Sequence, residues 1–271
     1  MFFFAYWFLR CSSVLQLAIR SSRCGWFAFL LFLEASISFS FTAETATAIA
    51  QRALQALPPG HWTFSGVLST QTEREDSPIS KEVSPANAVQ FGERLLTIQF
   101  QQGRDGTRQI TYRAESKGRV VEGVRLIFAK DERSSLQLID LATEIPTKDL
   151  RRSFLGSVFN MEDLSLHFLT WERQELLGDE ILKDRVCWKI VSYPAKSETS
   201  SYKRVESWID KQYQAILKAV AYDEKGNVIK KFNVRSFQQL EDVWILKELD
   251  LDAPLLKAQS RLEILEARRQ E

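Results

Sequence analysis

Two histidines and a few clustered carboxylates are the side chains best suited to metal or proton chemistry in this sequence. His61 follows Gly60 at a strand start and His167 lies amid apolar residues. Neither has a second histidine or a cysteine at ligand spacing, so a zinc site would have to recruit distant carboxylates. A surface histidine and a packed one are the simpler reading. The pair Glu162-Asp163 and the carboxylates Glu248, Asp250 and Asp252 are the types that serve as general acid and base, as in a glycosidase. Acidic pairs at turns and strand edges are usually solvated, however, and nothing in the sequence fixes a separation between them. No Gly-x-Ser-x-Gly elbow, phosphate loop or dinucleotide fingerprint is present. The expectation is a protein that is not an enzyme, with no catalytic residue, no cofactor and no metal.

The elements around these residues read as a scaffold. From Glu175 to Leu251 the chain runs as consecutive antiparallel strands, with Arg185 to Tyr193, Tyr202 to Asp210, Tyr213 to Tyr222, Val228 to Gln238 and Val243 to Leu251 each rich in β-branched or aromatic residues. Asp210-Lys211-Gln212 makes one tight reversal. Asp223 to Asn227 makes another, where Gly226 can take positive φ. Phe232 and Val234 alternate with Lys231, Asn233 and Arg235, whereas the strand from Val243 alternates imperfectly, so some strands are expected to be covered on both faces.

Upstream, Ala46 to Leu57 repeats apolar residues at three and four and ends at Pro58-Pro59-Gly60, which predicts a helix packed on a sheet. His61 to Thr70 alternates as a half-buried strand, with Gly66 allowing a bulge. Residues 73 to 87 form a polar break. Strands resume over Leu95 to Gln101, Gln109 to Arg113 and Val124 to Lys130, separated by the turn chemistry of Gly103 to Gly106 and of Gly118. Between Leu136 and Thr170 the pattern loosens, and a helical cover is expected there in preference to another strand. Arg151-Arg152 and Lys230-Lys231 are short basic runs mixed with acids and read as solvated faces.

The first 43 residues differ from the rest. Phe2, Phe3, Phe4, Trp7, Phe8 and Leu9 precede Arg10, Arg20 and Arg23, and an apolar run from Trp26 to Leu33 follows, with Ser36, Ser38, Ser40 and Ala43 after it. That is the layout of an export signal cleaved near Ser40 or Ala43. The competing reading is an uncleaved inner-membrane anchor, which Glu34 interrupts short of the ~20 residues a span requires. Neither Cys11 nor Cys24 has a lipoprotein-type context. Without residues 1–43 the formal charge falls from +1 to −1, which does not indicate nucleic acid. Only Cys187 remains, so no internal disulfide can form in that part, and residues 44–271 read as a single β-rich domain.

Several of these segments together carry a family resemblance. Gly156 to Leu164, then Gly178-Asp179-Glu180, Asp184 to Trp188, Tyr202 to Lys211 with its Trp208-Ile209-Asp210-Lys211, and Tyr222 to Asn227 resemble the outer-membrane lipoprotein-sorting protein family. That family is related to the LolA and LolB lipoprotein carriers and to RseB-type envelope regulators. The resemblance spans roughly Phe154 to Leu265. It implies a mainly β (α+β) fold, a strongly curved antiparallel sheet forming an open half-barrel with helices covering its concave face, exported to the periplasm. Lipid or lipoprotein acyl chains would be the cargo, with an inner-membrane transporter or an outer-membrane acceptor as delivery partner. Residues whose alternation turns them inward, Trp62, Phe64, Leu96, Ile98, Phe100, Ile110, Tyr112, Leu126 and Phe128, are the candidate lining of the cavity. An RseB-like regulator or adaptor that binds a membrane protein on the same scaffold is the alternative, and a secreted hydrolase built on acidic residues is the third.

Overall fold

The computed structural model describes residues 44–56, 58–72, 92–116, 119–128, 136–141, 143, 146–147 and 149–270. Residues 1–43, read as an export signal, and the polar break at 73–87 lie outside them. Helix α1 (Ala46–Gln55) begins where the Thr45 hydroxyl accepts from the Ala48 amide at 3.2 Å. Its buried residues Ala46, Ile49, Ala50, Ala53 and Leu54 keep the helical spacing of the sequence, and it packs against strands β7 (Arg173–Leu182) and β8 (Arg185–Tyr193). Arg108 closes the far end of the helix by donating to the Leu54 carbonyl at 2.7 Å.

Among the described residues the strands form one antiparallel sheet of thirteen. From β1 (His61–Thr72) the chain passes outward through β2 (Gly92–Gln102), β3 (Arg108–Ser116), β4 (Arg119–Phe128), β5 (Leu136–Asp140) and β6 (Pro146–Thr147). It then crosses to the opposite edge at β7 and returns through β8, β9 (Arg204–Asp210), β10 (Ile216–Tyr222), β11 (Val228–Leu240) and β12 (Val243–Ala253). The last strand, β13 (Ala258–Gln270), lies between β12 and β1. Among the described residues the sheet does not close, since β6 and β7 are its two edges.

The meander predicted for the C-terminal half is present, and Arg185 to Tyr193 is a strand with the expected bounds. The bulge at Gly66 is present too: the β1–β13 register shifts between Ser65 and Gly66. One expectation is corrected. Leu136 to Asp140 is a strand and not part of a helical cover, because the outer edge of β4 has backbone groups that a fifth strand satisfies, Leu126 pairing with Leu138 and Val124 with Asp140. In addition, β13 is a full strand in a stretch rich in Ala, Leu, Glu and Arg, helix-forming residues overridden by the two strand edges it joins.

One face of the sheet holds the main core, into which α1, strands from both halves and the crossover residues Phe154, Val158, Phe159, Met161, Phe168 and Trp171 are packed. A smaller cluster of Cys187, Trp208, Leu217 and Val220 is buried separately, so β8 to β10 bury side chains of both alternating sets, as expected.

Candidate functional site

The crossover from β6 to β7 is built from local bonds before it meets the sheet. Residues 150–154 and 159–162 face each other, with the Phe154 amide donating to the Phe159 carbonyl at 2.8 Å and the Glu162 amide to the Leu150 carbonyl at 2.9 Å. Leu155 and Gly156, both at positive φ, reverse the chain between them. A short helix, α2 (Met161–Leu164), follows with a reciprocal cap: the Asp163 amide donates to Asn160 Oδ1 at 2.8 Å and the Asn160 amide to Asp163 Oδ2 at 2.9 Å. A left-handed Leu166 then ends that helix before a 3-10 turn at His167–Leu169.

Discrete polar tethers attach this segment to distant strands. The Val158 amide donates to Ser260 Oγ at 3.1 Å, and Ser260 shares a buried hydrogen bond with Thr70 at 2.8 Å, so β13 and β1 are both engaged. Arg152 pairs with Asp140. His167 pairs with Glu198, which also accepts from Trp171 Nε1 at 3.0 Å. The acidic pair makes the tightest tether. Asp163 accepts from the Tyr202 hydroxyl and the Lys230 ammonium as well as from Asn160, while Glu162 accepts from Ser200 Oγ and, at 3.1 Å, from the Ser201 amide.

These contacts correct the reading of Glu162-Asp163 as a solvated pair, since both residues are buried. They are inside because the capping box turns them inward and hydrogen-bond donors wait there, which offsets the cost of removing a carboxylate from water. Lys230 is likewise not on a solvated face, its side chain being 12% exposed. Burial pushes the Glu162 carboxyl above its ordinary range, against the opposing effect of Ser200 and Ser201. The Tyr202 hydroxyl is raised well above its ordinary value by burial and by the neighbouring Asp163 charge.

Beside this cluster lies a pocket of about 550 Å³. Apolar side chains (Val158, Phe159, Ile229, Ala253, Leu255, Leu256) and polar ones (Ser153, Ser157, Asn160, Ser201, Tyr202) share its wall with Asp149, Arg151 and Lys230. Leu255 and Leu256 are exposed in the 3-10 turn Pro254–Leu256. Neither Glu162 nor Asp163 lines the pocket. The arrangement can bind and orient a ligand; it does not present the two free carboxyls that hydrolysis of the glycosidase kind requires.

The nine residues predicted to line a cavity are on one face of the sheet, in cross-strand rows. Trp62, Phe100, Ile110 and Leu126 form one row, and Phe64, Ile98 and Tyr112 another that continues to Val124. Leu96 and Phe128 lie near the two ends of this patch. All nine belong to the main core, seven buried and Phe64 and Tyr112 partly so. Trp62 stacks on Phe64 with ring centroids 6.1 Å apart, and Phe154 of the crossover meets Tyr112 edge-on at 5.9 Å. Burial pushes the Tyr112 hydroxyl up to about 12. None of the nine lines the pocket. The residues that do surround it, Tyr202, Lys230, Leu255 and Leu256 among them, were not singled out as a site from sequence. A signal that could have pointed there is the Asn160-x-x-Asp163 spacing of a capping box. His61 is exposed, and Cys187 is buried and free. Among the described residues no three His, Cys, Asp or Glu side chains are placed to hold a metal, and no helix is long and apolar enough to cross a membrane.

Comparison with known proteins places this architecture. A protein-family model described as "Uncharacterized protein" matches residues 136–270. No curated protein matches the chain at a significant level. Among solved structures, a DUF1329 family protein from Desulfovibrio piger superposes with a TM-score of 0.65 at 15% identity, covering 83% of this chain and 92% of the other. A domain described as an outer membrane lipoprotein-sorting protein, from Vibrio parahaemolyticus, gives 0.63 at 17% identity with the same coverage, 83% and 92%. A LolA superfamily protein from Nitrosomonas europaea gives 0.56 at 14% identity, covering 84% and 95%. The chain therefore has the fold shared by the lipoprotein-sorting and LolA-superfamily structures, as the resemblance implied.

Proposed function

We propose that residues 44–271 form a periplasmic, non-enzymatic carrier that shelters the acyl chains of lipids or lipoproteins in the apolar interior of a half-barrel, and that residues 1–43 direct its export. The observation that carries this reading is the reach of α1. That helix touches β7 and β8 and also accepts a hydrogen bond from Arg108 at the start of β3, and β8 is eight places from β3 in the sheet order. In a flat sheet, eight spacings of ~4.8 Å would separate them by about 38 Å, whereas a ten-residue helix is about 15 Å long. Such contacts support a sheet curled around its apolar face, with α1 and the crossover inside the curl. The cover over that face is not sheet; it is a segment packed through Phe154, Phe159 and Phe168 and held by polar tethers, without the continuous backbone ladder of a strand. Lifting it from Tyr112 and Phe232 would expose the rows of Trp62, Phe100, Ile110 and Leu126 to a chain, at about 0.8 kcal/mol gained per buried methylene. The lipoprotein-sorting and LolA-superfamily folds point the same way.

The test is mass spectrometry of whatever ligand the protein retains on purification, with saturable uptake of a fluorescent fatty acid by the stripped protein. Retained lipid and uptake at about one chain or more per protein are expected; a protein that neither retains nor takes up any acyl chain overturns the proposal. A second reading, an adaptor for a membrane-protein partner, is favoured by β7, a sheet edge on which Leu177 and Ile181 are exposed. Co-purification of an inner-membrane protein without lipid would favour it.

A further inference from the structure

We infer that the pocket beside Lys230 seats the anionic head, carboxylate or phosphate monoester, of a single-chain amphiphile whose chain lies against Leu255 and Leu256. This deepens the carrier reading and rests on it. A volume of about 550 Å³ lies within the range of ~300–1,000 Å³ of small-ligand sites. The wall has the two chemistries such a molecule needs, an apolar part of Ile229, Ala253, Leu255 and Leu256 and a polar part around Lys230, Tyr202 and Ser201.

The donors at the polar part favour an anion. An ammonium has three N–H donors, and among the described residues that of Lys230 has one acceptor, Asp163 Oδ2. Asp163 is held independently by Asn160 and Tyr202, so it does not need Lys230 to itself. Arg151 is exposed at the same wall, and among the described residues its guanidinium makes no ion pair. The lining holds Lys230, which is paired with the buried Asp163, and Arg151, beside the carboxylate of Asp149. Nearby, two consecutive leucines stay exposed on the 3-10 turn packed against β11, in a position where a chain would cover them. A head group alone leaves those leucines wet, and a neutral chain leaves the Lys230 donors unused, so the amphiphile is the class that satisfies both.

The full chain, stripped of retained ligand, is titrated with oleate, oleoyl lysophosphatidate, monooleoylglycerol and inorganic phosphate in competition with a fluorescent fatty acid. Both anionic amphiphiles are expected to bind about tenfold or more tighter than monooleoylglycerol, as charge-assisted hydrogen bonds allow, and phosphate alone is expected not to compete. Arg151→Gln, at the exposed edge of the pocket, reduces that preference several-fold. The paired change Lys230→Gln with Asp163→Asn, which removes both buried charges together, abolishes the preference in protein of unaltered circular dichroism. Equal affinity for charged and neutral amphiphiles, or a preference untouched by Arg151→Gln, overturns the inference and leaves the carrier reading intact. Competition by inorganic phosphate alone overturns the amphiphile class, and failure of every chain to bind overturns both.

Discussion

Asp163 accepts hydrogen bonds from Asn160, three residues away, and from Tyr202 and Lys230, 39 and 67 residues away. The first contact is a local capping rule; the others exist only because the sheet brings β11 and the start of β9 to α2. Its neighbour Glu162 carries a prediction about acidity. Burial raises its pKa above the ordinary 4.5, so between 4.5 and that raised value the folded chain holds a proton that the unfolded chain has lost. Stability from this group is therefore full below 4.5 and falls as pH rises through the window. Glu162→Gln keeps an acceptor for Ser200 and Ser201 but has no charge to desolvate. Thermal melts of the two proteins should coincide near pH 4, and the variant should melt increasingly higher than the parent toward pH 7; parallel curves would show that Glu162 does not titrate this way. Sequence could identify the carboxylates but not their burial, because solvation depends on which distant donors arrive.

Gly66 shows what element-scale reasoning can and cannot see. A glycine inside an alternating strand signals a bulge, and the register does shift there. The reason comes from another strand: a Cβ at residue 66 would lie 2.5 Å from the backbone carbonyl oxygen of Glu263 in β13. Gly66→Ala should cost about 1–3 kcal/mol, as overpacking a close contact does, read as a lower urea midpoint with an unchanged slope. A neutral result would mean that β1 and β13 separate easily at this point. Hairpin strands such as β8 to β11 were legible because their turns, at Asp210 to Gln212 and Asp223 to Asn227, lie next to them and carry explicit turn chemistry. The strand at Leu136 to Asp140 was not, since its case rests on the unsatisfied edge of β4. The nine inward residues of β1 to β4 were legible as a shared face from period two alone. That Phe154 of the crossover meets Tyr112 edge-on was not.

At the scale of the molecule, β13 is the element that unites the two halves of the sheet. It pairs with β1 over residues nearly 200 positions distant, Thr70 with Ser260 for example, and with β12 on its other side. It also supplies Ala258, Leu262 and Ile264 to the main core. A chain ending at Lys257 should therefore lose cooperative unfolding, because two edges open in mid-sheet and the two meanders no longer share a core. A single sharp thermal transition in that truncated protein would show that β13 is dispensable. So many distant pairings also carry a kinetic cost, since loop-closure entropy is lost before the contacts form.

By itself the sequence determined what short-range physics writes into it: the β-rich class, the α1 helix, most of the strands, the Gly66 bulge, the resemblance to lipoprotein-sorting proteins and the apolar face that a carrier would use. Tertiary structure alone decided that Ala258–Gln270 is a strand, that Glu162, Asp163 and Lys230 go inside, and that a pocket forms beside Tyr202 and Leu255. The division follows sequence separation. Alternation and turn chemistry act over a few residues and can be read along the chain, whereas the burial of a charge or the fate of a helix-prone strand is settled by partners tens to hundreds of residues away.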